Sequence, residues 1–168
     1  SILVSYVFAF LFWKDTRGNG NITPAQKCFR AALLWGVLSS LGTYSLVQMM
    51  VTHTFHEKWY LASIYFYLHF QYNGWFLFGC LGLVFHLLQQ KQISTPTMNT
   101  IFWYFALACL PAYFFSALWL PIPTVVYIIV VLAAVAQLLG WILLLRLLRG
   151  NRFSFINTAK PVRWAFGL

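Results

Sequence analysis

Between Thr124 and Leu148 the only strongly polar residue before Arg146 is Gln137. At 1.5 Å per residue, a helix over that run reaches across a hydrocarbon core about 30 Å thick. Four more apolar segments accompany it, and the five cover roughly residues 1–13, 24–52, 58–90, 97–119 and 123–149. Of 168 residues 61% are hydrophobic and 8% charged, and the mean hydropathy is +0.75. That leaves too little charge to cover a soluble domain. The expected fold is all-α: a polytopic transmembrane helix bundle of about five spans, one unit over residues 1–168, with the lipid bilayer as its solvent.

Local signals mark the starts of the segments. Thr23-Pro24-Ala25-Gln26 combines a threonine N-cap, a proline at the first helical position and a glutamine placed for a capping box. Thr95-Pro96 repeats the threonine–proline start, and Pro121-Ile122-Pro123 separates the fourth and fifth spans. Ile2–Trp13 would make only about 18 Å of helix, so the first span is expected to be truncated. Pro161 opens a candidate sixth. The expectation is a fragment of a larger membrane protein, completed by further transmembrane helices of the same protein or complex.

The net charge of +9 could suggest nucleic acid, but its distribution excludes that class. The basic residues flank apolar segments instead of forming a stripe on a soluble face. Ten of the eleven Lys and Arg residues fall on alternate loops, and Lys58 is the exception. Loops 14–27, 88–97 and 146–163 are therefore expected to be cytoplasmic, and loops 53–58 and 119–123 outside, as in a bacterial inner-membrane protein. The three cysteines, Cys28, Cys80 and Cys109, have no CxxC spacing and read as small core residues.

The third span is the most polar. At 100° per residue Tyr65, His69 and Asn73 share one helix face, continued by Ala62 and Phe76, while Ser63, Tyr67, Gln71 and Gly74 fall on another. A helix polar on two sides cannot show either to lipid, since each unsatisfied polar group there costs several kcal/mol. It is expected at the centre of the bundle, with His69 near the membrane midplane. Ala32, Gly36 and Ser40 on the second span form a small-xxx-small surface for close approach. Pro111 is expected to kink the fourth span and free a carbonyl.

His69 supports three readings. It can be a neutral imidazole bonded to a carbonyl or side chain of another helix, a haem or metal ligand with Tyr65, Gln71 and Asn73 around it, or part of a proton relay or substrate site. At the outer end, His53, His56 and Glu57 form an HxxHE group that could share a divalent metal, or could simply be a hydrated loop.

The stretch His69-Phe-Gln-Tyr-Asn-Gly-Trp75 resembles ligand-bearing helices of haem-copper oxidase catalytic subunits and related NnrS-type membrane proteins. That resemblance, over about ten residues, implies a haem or copper ligand at His69. Spans two, four and five contain no core histidine, so the remaining ligands would have to come from other helices. The only carboxylates, Asp15 and Glu57, lie at loops. Hydrolysis or phosphoryl transfer by these residues alone is thereby excluded as an expectation. Three classes stay open: a haem- or metal-binding redox protein (an oxidoreductase), a transporter or channel-like bundle with a polar midplane site, and a non-catalytic structural subunit.

Overall fold

The computed structural model describes residues 2–16, 22–93, 95–118 and 123–150. All regular structure among them is helical. The elements are α1 (Ile2–Thr16), α2 (Pro24–Val51), α3 (Glu57–His69), a π-helical segment (Phe70–Phe76), α4 (Leu77–Gln90), α5 (Thr95–Ala112), a 3-10 turn (Tyr113–Phe115) and α6 (Thr124–Gly150). Among the described residues three helices are long and apolar enough to cross a membrane: Pro24–Val51, Thr95–Phe115 and Thr124–Gly150. The fold is thus an all-helical one suited to a bilayer. The candidate sixth segment and the turn at Pro121-Ile122 lie outside the described residues.

The capping box at α2 forms as its sequence requires. The Gln26 backbone N–H donates to Thr23 Oγ1 at 3.3 Å, and the Thr23 N–H donates to Gln26 Oε1 at 3.0 Å. Two of the orphan donors of the first turn are met this way, and Pro24 removes another at no cost. At the other end of the fourth predicted span, Pro111 stands one residue before α5 ends, and the chain tightens into the 3-10 turn at Tyr113.

The basic ends gather. Arg30 of α2 donates from Nε to Thr16 Oγ1 at 2.9 Å and from Nη2 to the Thr16 carbonyl at 2.5 Å, closing the C-terminal end of α1. Lys27 donates to Asn99 Oδ1 at 2.9 Å, tying the start of α2 to the start of α5. Cys28, Leu88, Met98 and Leu147, from the ends of α2, α4, α5 and α6, belong to one buried cluster. The helix ends that carry Lys14, Lys27, Lys91, Arg146 and Arg149 therefore sit at the same end of the bundle.

No turn interrupts the path from Glu57 to Gln90, but it is not one α-helix. In an α-helix Phe78 would lie about 80° round from Phe70. The π segment, with its wider i→i+5 turn, absorbs that drift, and Phe70, Gly74 and Phe78 are all buried on the packed side. The face assignment made at 100° per residue fails here: Phe76, expected to continue the His69 face, is 58% exposed.

The small-residue surface of α2 is also divided differently from the expectation. Gly36 lies against Trp75, whereas Ser40 turns away toward α1 and bonds the Tyr6 hydroxyl. α2 lies close against α3 at Gly42, where a Cβ would stand 2.7 Å from the Ser63 carbonyl oxygen and 2.9 Å from the Tyr67 backbone nitrogen. Backbone atoms cannot rotate away. Gly42→Ala is expected to lower stability by about 1–3 kcal/mol. Gly79→Ala, where nothing lies within 4 Å, should be neutral or stabilising by up to about 1 kcal/mol. Unfolding of both variants in detergent checks this; equal stability of the two would contradict the packing.

Candidate functional site

His69 ends α3 and is buried against α5. Its Nε2 lies 2.8 Å from the Cys109 carbonyl oxygen. A carbonyl only accepts, so Nε2 carries the proton. In the neutral ring Nδ1 then holds the lone pair, and the Asn73 amide nitrogen, 3.3 Å away, donates to it. Both ring nitrogens are engaged.

α5 answers with a bond in the opposite direction. Cys109 Sγ, on the residue whose carbonyl receives His69, lies 3.6 Å from the Asn73 carbonyl oxygen and donates to it. Four residues on, the Tyr113 hydroxyl donates to the Ala62 carbonyl at 3.1 Å. Three side-chain-to-backbone bonds therefore stitch α5 to the α3–π helix.

Aromatic rings fill the space around the stitch. Phe70 packs edge-on to His69 with centroids 5.1 Å apart and stacks on Trp35 of α2 at 5.4 Å. Tyr113 lies edge-on to Phe66 at 5.3 Å. Trp35 reaches this position because Gly74 leaves room; a Cβ there would lie 2.5 Å from the Trp35 Cβ. The Trp35 Nε1 is buried without a partner among the described residues. The stack on Phe70 contributes roughly 0.5–1.5 kcal/mol beyond area burial, which offsets part of that cost.

The other polar face of the helix meets α2. Ser39 Oγ lies within reach of both the Gly36 carbonyl (2.7 Å) and Gln71 Oε1 (3.0 Å), and Ser63 donates to Ser45 at 2.9 Å. Gln71 opens onto a cleft of ≈ 400 Å³ between α1, α2 and the π segment. The two polar faces expected from the helical period are present: His69 with Asn73 on one, Gln71 on the other. His69 and Asn73 meet each other at α5, Gln71 faces the α2 side, and Tyr65 is 40% exposed with no hydrogen bond among the described residues.

His53, His56 and Glu57 are all exposed, with His53 in a left-handed turn (φ 52°) and His56 the N-cap of α3. Among the described residues no three His, Cys, Asp or Glu side chains are grouped so as to hold a metal ion. No family model, curated protein or solved structure matches the chain.

Sequence reasoning missed the receiving side of the stitch. The carbonyl that Pro111 frees in a helix is that of Leu107, four residues back, so the proline did not point to Cys109, and nothing in the pattern marked Tyr113 or Trp35. Tyr113→Phe keeps the ring and removes one bond, so it should cost about 0.5–1.5 kcal/mol in unfolding free energy. Tyr113→Leu, which also removes the ring, should cost more. Identical losses would assign all of the effect to the hydroxyl.

Proposed function

We propose that this chain is a membrane-embedded structural module of a helical membrane protein, in which His69 anchors the α3–π–α4 helix to α5. The observation that carries this is the engagement of both His69 nitrogens, by the Cys109 carbonyl and by Asn73. In a bilayer core an unmet donor or acceptor costs several kcal/mol; the Nε2 bond crosses to α5, and Asn73, on the same helix, fixes the ring that makes it. On this reading α2, the continuous α3–π–α4 helix, α5 and α6 each cross the bilayer and α1 packs against α2, making about five spans in all. The basic end of the bundle faces the cytoplasm and His53–Lys58 faces outward; a bacterial inner membrane is the proposed setting.

Haem or metal ligation has less support in this arrangement. The Nδ1 lone pair would have to be released by Asn73, and the ring would have to leave its packing against Phe70. The residues present do not fit such a group without that rearrangement.

Glutamine separates the readings, because its amide can donate to the Cys109 carbonyl but does not replace imidazole as a haem ligand. His69→Ala is expected to destabilise the protein by about 2–3 kcal/mol, from a lost buried bond and the space left behind. His69→Gln should recover part of that loss and retain the activity of the full-length protein. An absorption band of bound haem that disappears in His69→Gln, at unchanged stability, would overturn the anchor role.

Orientation has its own test. A cysteine at His53 should react with an impermeant maleimide added outside intact cells, and one at Lys91 only after the membrane is opened. The reverse pattern would invert the topology.

A further inference from the structure

The cleft beside Gln71 has a use that the anchor does not explain. It measures ≈ 400 Å³ and is walled by Ser5 and Tyr6 of α1, Ser39 and Thr43 of α2, Tyr67 of α3 and Gln71 of the π segment, among others. Ser39 stands near the middle of α2, so the cleft opens at mid-depth of the bundle. None of its lining residues is charged.

Its hydrogen-bonding groups are unevenly satisfied. Thr43 Oγ1 donates to the Ser40 carbonyl, and the Tyr6 hydroxyl is shared with Ser40 and Tyr44. Gln71 Oε1 can accept from Ser39. The Gln71 amide –NH2 and the Tyr67 hydroxyl have no hydrogen-bond partner among the described residues. Unmet donors in a bilayer core are expensive, so these two groups call for acceptor oxygens. A charged ligand at this depth would lack a counter-charge.

Size and surroundings narrow the occupant further. A helix about 10 Å across fills roughly 800 Å³ over 10 Å of its length, twice what the cleft holds, whereas small-ligand sites start at about 300 Å³. A second groove of ≈ 330 Å³, almost wholly apolar, shares Tyr6, Leu33 and Val37 with the cleft and continues along α1 past Ala9 and Phe10 to Trp13. A polar recess joined to an apolar groove matches a molecule with an oxygen-bearing head and a hydrocarbon tail.

We propose that this cleft binds an uncharged lipid, its ester or hydroxyl oxygens accepting from Gln71 and Tyr67 and one acyl chain lying in the groove between α1 and α2. The site is separate from the His69 anchor and does not depend on the role given to it.

The test uses the full-length protein in phosphatidylcholine vesicles containing a diacylglycerol with a photoactivatable diazirine on its acyl chain. Adducts are located by mass spectrometry after irradiation. They are expected on the peptides of α1 and α2 that line the groove, and unlabelled diacylglycerol should compete them away. Gln71→Leu should weaken that competition about five- to ten-fold. Ser5→Phe fills the cleft from α1 without touching the α2–α3 contact, so it should abolish the adducts while the unfolding temperature stays near that of the wild type. Adducts spread evenly over the lipid-facing helices would overturn the proposal. So would equal labelling of the groove by a phosphatidylglycerol probe, or labelling unchanged in both variants.

Discussion

A hydrogen bond in a bilayer core cannot be completed by water, so every polar side chain on a buried helix must find its counterpart in protein or in a ligand. On the reading proposed above, the helix from Glu57 to Gln90 crosses that core, carries more such side chains than the others, and answers the constraint by reaching for backbone. His69 takes the Cys109 carbonyl, Cys109 returns a thiol to the Asn73 carbonyl, and Tyr113 takes the Ala62 carbonyl. Backbone carbonyls are fixed in direction by the helix that bears them, and bonds to them set rotation and register together. Alternative alignments of α5 would leave these groups unmet at once, which favours one packing over its near neighbours.

The π segment makes that packing geometrically available. Its wider turn keeps Phe70, Gly74 and Phe78 on the side facing the core, where a regular helix would have rotated Phe78 away. Phe70 can then stack on Trp35 and meet His69, while Gly74 admits the Trp35 side chain. Sites of this type, where an irregular turn is retained inside a long helix, are often functional. Here the irregular turn lies between the stitch to α5 on one side and the cleft at Gln71 on the other.

Much of the architecture was legible because it depends on one-dimensional signals. Apolar length set the segments, the Thr23–Gln26 box marked the start of α2, and the described basic residues other than Lys58 lie at one end of the bundle, where Lys27 bonds Asn99. The candidate site was legible only in part. An interhelical partner was one of three readings open for His69, and its identity was not legible, because a backbone carbonyl leaves no trace in residue type. The π turn is nearly as silent: FQYNGWF is rich in weak helix formers, Asn73 and Gly74 among them, but that weakness does not specify a wider turn. Once the turn is missed, face assignments after Phe70 drift, which is why Phe76 was placed on the His69 face, whereas the separation of Gln71 from His69 and Asn73 was legible from the helical period.

That division has a physical logic. The His69 side is saturated: both ring nitrogens are bonded and aromatic rings close around them. A saturated network resists change, because removing any member leaves another buried group unmet. The Gln71 side keeps spare donors beside open volume. A helix needs rigidity where it holds its neighbours and unspent hydrogen-bonding capacity where it meets a ligand. Placing the two on opposite sides of the helix lets a single segment supply both.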